Sequence, residues 1–161
     1  MSLKIRIDTR EQKPLEFSHP YITEIERLTC PVGDYMATYA DGYTPPIAFE
    51  RKSISDLFGT LTHGHDRFKR EIARAKEFDI KLILIIEGSL SKVLKGVDES
   101  QVNGLTIVRQ LMTMWIKHGL TPVFCKDREE MSTFITEYFC SIGRLKGHKP
   151  KEEANSDALV R

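Results

Sequence analysis

Residues 80–87, Ile-Lys-Leu-Ile-Leu-Ile-Ile-Glu, form a nearly unbroken apolar run closed by Gly88. A strand with one wet face alternates apolar and polar residues, and this run does not, so it needs cover on both faces. A sheet sandwiched between helices meets that demand, and the rest of the chain supplies the parts. Residues 3–8 alternate Leu3, Ile5 and Ile7 with Lys4 and Arg6, the pattern of a half-buried strand. Residues 35–39 and 47–51 read as paired strands, with turn chemistry from Asp41-Gly42 and Pro45-Pro46 between them. Helical patterns follow over 53–61 and 66–78, the second with Phe68, Ile72, Ala75 and Phe78 on one face. A short helix from Ser89, a long one over 100–118 stopped by Gly119, a strand over 122–125 and a last helix from Asp127 to about residue 142 complete the series. Residues 9–31 read as irregular, with a short helix over 21–27 and another extended piece at the end. The expected fold is α/β, a mixed central β-sheet flanked by helices, in one domain over 1–143 with a polar, mobile tail over 144–161.

At 161 residues the chain is long enough to bury a sizeable core. Its 40% hydrophobic and 29% charged residues describe an ordinary globular chain. No apolar run reaches the roughly 18 residues of a membrane span and no secretory signal opens the chain, so no membrane partner is expected. Cys30, Cys125 and Cys140 lie far apart, without Cys-x-x-Cys or Cys/His pairing. They read as buried or free thiols in a reducing compartment, implying neither zinc nor disulfides. His63 and His65 lack the further ligands that a tetrahedral site needs.

The stretch that carries chemistry runs from Gly33-Asp34-Tyr35 to Glu50-Arg51-Lys52-Ser-Ile-Ser-Asp56. In an extended segment Glu50 and Lys52 emerge on one face and Arg51 on the other. Asp34 on the neighbouring strand can share the face of Glu50. Two such carboxylates hold a divalent cation through hard oxygens, as Mg²⁺ prefers, and a lysine beside them can orient water or steady charge on a phosphate. The rival readings are structural. Asp34 after a glycine can be a turn former, Lys52 a snorkelling surface lysine, and Ser53-Ile-Ser-Asp56 a capping box. Glu50 resists such a reading, because it follows Ile47-Ala48-Phe49 in a strand expected to be buried, where an unpaired carboxylate is costly. Arg51 has Asp8, Glu11 or a phosphate as candidate partners.

The full string resembles the signature of the XPF family of structure-specific endonucleases, Gly-Asp…Glu-Arg-Lys-x-x-x-Asp. Ile7-Asp8-Thr9-Arg10-Glu11 is similar to that family's Asp-x-Arg-Glu, and Gly64-x-x-Arg67-Phe68 to its glycine, arginine and aromatic opening the next helix. The resemblance is strong over residues 3–78 and rests on element order beyond. It implies a restriction-endonuclease-like fold and a DNA endonuclease acting on branched or junction DNA. It also implies Mg²⁺ or Mn²⁺ held by Asp34 and Glu50 with help from Asp8 and Asp56, and Lys52 and Arg51 as catalytic partners. A chain of this kind is expected in the cytoplasm, at the nucleoid, if prokaryotic or phage, and in the nucleus if a eukaryotic fragment. The family couples this domain to a tandem helix-hairpin-helix domain, for which these residues carry no Gly-x-Gly signal. Both a stand-alone protein and a piece of a larger one fit.

Net charge is only +1, but residues 67–76 hold Arg67, Lys69, Arg70, Arg74 and Lys76 against the single acid Glu71. A helix basic on one side can line a phosphate backbone, so Arg67 and Arg70, with Arg10, are the expected DNA contacts. Family members pair their nuclease domains through helices. Here Leu105, Val108, Leu111, Met112 and Trp115 recur at helical spacing, and Phe134, Ile135, Tyr138 and Phe139 form a second stripe, so a homodimer is expected. The alternative is a non-catalytic partner that only dimerises and binds DNA. Such domains have lost the acidic motif, whereas this chain keeps Asp34, Glu50, Lys52 and Asp56. A motif match by accident would leave Asp34 and Glu50 far apart in space.

Overall fold

The structure, a computed structural model, describes residues 1–147. Six strands form one mixed sheet: β1 (Leu3–Ile7), β2 (Ile22–Arg27), β3 (Tyr35–Tyr39), β4 (Ile47–Ser53), β5 (Lys81–Glu87) and β6 (Thr121–Cys125). Their spatial order is β2-β1-β3-β4-β5-β6. β3 runs antiparallel to both β1 and β4, while β1–β2, β4–β5 and β5–β6 are parallel. Five helices accompany the sheet: α1 (Ile54–Leu61), α2 (His65–Glu77), α3 (Leu90–Lys95), α4 (Gly104–His118) and α5 (Arg128–Leu145). The expected α/β architecture, a mixed sheet flanked by helices, is the observed one.

Strand alternation sorts the core into two layers. Ala48, Leu82, Leu84 and Ile86 face a layer built from α1, α2 and α4, including Phe58, Phe68, Ile107 and Leu111. Phe49, Ile83, Ile85, Tyr35 and Ala37 face the other side, where α5 contributes Met131, Ile135 and Phe139. The Phe49 ring meets Phe134, Tyr138 and Phe139 edge-on. Full burial of such side chains contributes about 1.5–3 kcal/mol each. β5 is buried at its five central positions, as its composition required.

Three helices start where side-chain caps dictate. Ser53, Ser89 and Asp127 accept from the backbone N–H groups of Asp56, Lys92 and Glu130. The long fourth helix starts later than the expected residue 100, with Asn103 as its cap. Gly104 must be glycine there, because a Cβ would lie 2.1 Å from the Val93 carbonyl oxygen where α3 meets α4. The expected helix over 21–27 is a strand instead. Ile22 and Ile25, three apart, imitate helical spacing, yet Ile22, Thr23 and Ile25 are β-branched and suit an edge strand. Lys4–Glu24 at 2.8 Å and Arg6–Glu26 at 3.6 Å then tie β2 to β1 across the ladder. Helix α5 runs to Leu145, past the expected end at 142. Residues 148–161, most of the expected tail, lie outside the described residues. Among the described residues no helix is long and apolar enough to cross a membrane.

Candidate metal and phosphate site

The register that builds the sheet also builds the site. Tyr35 pairs with Phe49 across the antiparallel β3–β4 ladder, so Asp34 and Glu50, one step outward, come opposite each other. Gly33 enters this corner at φ +72°, and a Cβ on it would sit 3.0 Å from both the Ala48 Cβ and the Phe49 carbonyl oxygen. Any other residue would push the start of β3 off β4. The Asp34 backbone is then fixed from two sides: its N–H donates to the Phe49 carbonyl at 2.7 Å, and its carbonyl accepts from the Asp8 N–H at 2.8 Å. Its Oδ2 accepts from the Arg51 backbone N–H at 2.8 Å.

Glu50 and Lys52 share the face of Ala48, toward α1 and α2, with the Lys52 Nζ 3.5 Å from the Glu50 Oε1. That is longer than a good charge-assisted bond. The Glu50 side chain is only 13% exposed, so this one loose cation leaves it poorly compensated. Burial, the Asp34 charge and the Glu71 charge all push its pKa above the usual carboxylate range, against Lys52. Asp34 is also raised, chiefly by burial and by the Glu11 charge, against the Arg51 N–H bond. Two adjacent carboxylates that resist ionising together are a standing demand for positive charge.

Both open into a cleft of about 510 Å³. Asp8, Arg10, Asp56 and Arg67, all expected from the sequence, line it as well. Asp56 occupies the first turn of α1, its backbone N–H on the Ser53 Oγ and its carboxylate exposed, so the capping reading holds and the rim position is additional. Asp8 is 1% exposed, and its two oxygens accept from the Arg10 Nε, Nη2 and backbone N–H and from the Cys30 N–H. Burial alone would raise its pKa, but these donors together hold it down at about 2. Cys30 goes the other way, pushed up to about 12 by burial and the Asp8 charge, so its thiol stays protonated.

Two expected residues are not brought to the cleft. Arg51 points to the α5 side, where its Nε and Nη2 donate to both oxygens of Glu11 at 2.9 Å. The expected catalytic part for its guanidinium is therefore corrected: the only Arg51 atom that touches an acidic cleft residue is its backbone N–H. The alternation of β4 sends residue 51 to the face opposite Glu50 and Lys52. Arg70 is exposed on α2 and absent from the cleft lining. Two residues not singled out from sequence join instead. Glu71 and Arg74 follow Arg67 at i+4 and i+7 on α2 and line the same wall. That spacing was legible, but their facing could not be assigned without knowing which flank of α2 meets the sheet. His63 and His65, in the connection to α2 and its first turn, do not line the cleft.

Among the described residues no group of three or more His, Cys, Asp or Glu side chains forms a ligand cage. The donor set of Asp34 and Glu50 still fits a hard divalent cation. Mg²⁺ keeps several waters and binds through one or two carboxylates plus substrate phosphate, and these two carboxylates lack a matching cation. Arg10, Arg67 and Arg74 add positive charge to the same cleft.

The sequence matches the family model described as ERCC4 domain over residues 7–138. The structure is similar to XPF from Aeropyrum pernix, with a TM-score of 0.63 at 17% identity, covering 98% of this chain and 71% of that one. A second structure, XPF from Aeropyrum pernix in complex with DNA, gives a TM-score of 0.63 at 19% identity, covering 90% of this chain and 65% of that one. No curated protein matches the chain. At these identities the two structures speak for a shared fold.

Proposed function

The chain belongs to the ERCC4 domain family, a nuclease family, and from that premise we propose that it is a divalent-metal-dependent endonuclease cutting DNA. One observation carries the reading: Asp34 and Glu50, from unlike sequence contexts, meet in one cleft as an undercompensated acidic pair with Lys52 beside them. A family member without catalysis would have no reason to keep so costly a pair.

Asp34 and Glu50 hold Mg²⁺ or Mn²⁺, with Asp56 at the rim. When bound there, such a cation supplies a Lewis-acid charge at the phosphate and a bound water of lowered pKa. Lys52 orients the attacking water and stabilises the charge that develops on the phosphate oxygens. Arg67 and Arg74 hold the phosphates flanking the scissile bond, and Arg10 does so from the other wall while Asp8 fixes its guanidinium. Asp8 acts through Arg10, because its own oxygens are already satisfied. Hydrolysis joins the water oxygen to phosphorus and releases one sugar oxygen as an alcohol. Branched or junction DNA is the substrate form that the resemblance implies.

The deciding assay is nicking of supercoiled DNA. Activity with Mg²⁺ or Mn²⁺ and loss with EDTA, Asp34→Asn or Glu50→Gln is the expected pattern, and full activity in either variant refutes the reading.

The homodimer is proposed in altered form. The α5 stripe is largely spent internally: Ile135 and Phe139 are fully buried against the sheet, and Phe134 alone of the four is exposed, at 37%. Helix α4 still exposes Leu105, Trp115 and Ile116, so pairing runs through α4. Sedimentation equilibrium checks it: Ile116→Glu shifts a dimer to monomer, and a monomeric wild type at tens of micromolar removes the idea.

A further inference from the structure

Outside the cleft, cations gather a second time. On α2, at about 3.6 residues per turn, Lys69 and Lys76 lie on the flank roughly opposite Arg67 and Arg74. That flank faces the end of α4: the Lys76 Nζ lies 3.4 Å from the His118 Nδ1. Burial and then the charges of Lys76, Lys69 and Lys117 hold the His118 imidazole below its usual pKa. Lys76, His118 and Lys81 border a depression of about 480 Å³ whose one acidic residue is Asp79.

The cations here are not consumed internally. Among the described residues Lys69, Lys76, Lys81 and Lys117 make no ion pair, whereas Lys4, Lys52 and Lys126 do. The end of a helix attracts positive charge, which accounts for Lys117 and His118 in the last turn of α4. It does not account for Lys69, which sits in the N-terminal half of α2. In a chain with net charge +1, four unpaired lysines on one face are a local excess.

We propose that this face, formed by the outer flank of α2 with the end of α4 and Lys81, is a second contact for the DNA phosphate backbone. Helix α2 is the bridge. Its inner flank lines the cleft with Arg67 and Arg74, Arg70 is exposed on its outer side, and Lys69 and Lys76 continue the charge over the far flank. The outer side between the two flanks also holds the exposed acids Asp66 and Glu77, so a DNA segment engaged in the cleft crosses α2, about 10–12 Å in diameter, to reach the second positive flank. Flexible lysines outside any ion pair suit a sequence-independent backbone contact. The identity of the partner rests on the nuclease reading, but the contact is testable without cleavage.

Fluorescence anisotropy with a labelled duplex in EDTA, across a salt series, measures it. The variant K69E/K76E/K117E is compared with K92E/K95E/K126E, which reverses as many charges elsewhere. The first should weaken affinity at least about tenfold and reduce the salt slope by about 2–3, since each phosphate contact contributes close to one. The control should keep the wild-type slope, and single-turnover cleavage at saturating DNA should be unchanged in both. Equal losses in both variants would mean that net charge alone acts, and no loss in the first would mean no contact; either overturns the proposal while leaving the nuclease assignment intact. Displacement of the duplex by polyglutamate as effective as by unlabelled DNA assigns the face to acidic chains and also overturns it. Wild-type binding through this face without any metal-dependent nicking retains the contact and removes the nuclease reading.

Discussion

Asp8 and Glu11 sit beside Asp34 and Glu50 near one end of the sheet, yet the two pairs carry opposite electrostatics. Asp8 has Arg10 and two backbone N–H donors. Glu11 has Arg51, the Tyr35 hydroxyl and the Lys13 N–H. Both pKa values are lowered despite burial. Asp34 and Glu50 share one backbone donor and one loose lysine, and both are raised. Burial pushes all four upward, and only Asp8 and Glu11 have donors enough to overcome it. A saturated carboxylate is a structural strut, and an unsaturated one is free to accept a ligand. The arginine next to Glu50 in sequence serves the strut, and the lysine after it serves the site.

That contrast predicts its largest effect at neighbouring positions of β4. Arg51→Met strands Glu11, whose side chain is 5% exposed, and should cost about 3–5 kcal/mol of stability. Lys52→Met should cost under about 1 kcal/mol, because Glu50, already raised, can take up a proton instead. Urea denaturation at neutral pH measures both, and comparable losses would dissolve the distinction.

The second prediction reverses the usual sign of a core mutation. Without divalent cations, Asp34→Asn or Glu50→Gln should stabilise the protein, on the order of 1–2 kcal/mol, by removing a buried like-charge repulsion. Adding Mg²⁺ should raise the wild-type Tm and leave these variants unmoved. Destabilised variants that still respond to the cation would place the metal elsewhere.

Much of this arrangement was legible in the chain, and the reason differs by element. The run 80–87 announces a central strand because its apolar residues leave no wet face, and Ser53, Ser89 and Asp127 announce helix starts because capping is local. Asp34, Glu50 and Lys52 were legible through the period of a strand and the family motif. The strand β2 was not, since an edge strand with four of its six residues exposed has no strong period. The Glu11–Arg51 pair was legible only as one of three candidates for Arg51, because it joins residues 40 apart through a packing that no local pattern encodes. Glu71 and Arg74 were hidden for a related reason. A helix with cations on both flanks of its apolar stripe does not say which flank will border the cleft.

A smaller effect lies in the pH dependence, where the two pairs pull in opposite directions. Asp8 binds fewer protons folded than unfolded, so its contribution is present above its ordinary pKa of 3.8 and disappears as pH falls toward about 2. Asp34 and Glu50 bind more protons folded, so their contribution is present below their ordinary values of 3.8 and 4.5 and is lost as pH rises through the raised ones. The cation-free protein should therefore be most stable near pH 4, and saturating Mg²⁺ should move the optimum upward. In the Asp34→Asn/Glu50→Gln double variant the high-pH decline should vanish while the acid limb stays. A decline persisting in that variant would trace it to other groups.

The smallest effect tests how much of the Asp8 saturation comes from the arginine. The Arg10 side chain is 63% exposed, so its ion pair with Asp8 is screened by water, whereas the backbone donors from Arg10 and Cys30 are anchored by the fold. Arg10→Gln keeps both backbone bonds and should cost no more than about 0.5–1 kcal/mol. The same substitution removes one cation from the cleft wall, so DNA affinity in EDTA should fall with a change of about one in the salt slope. The two readouts separate the roles. A stability loss as large as that of Arg51→Met would make Arg10 a strut like Arg51, and the saturated pair would then owe everything to arginine. An unchanged salt slope would show that Asp8 holds Arg10 for the fold alone, leaving the phosphate to Arg67 and Arg74 of α2.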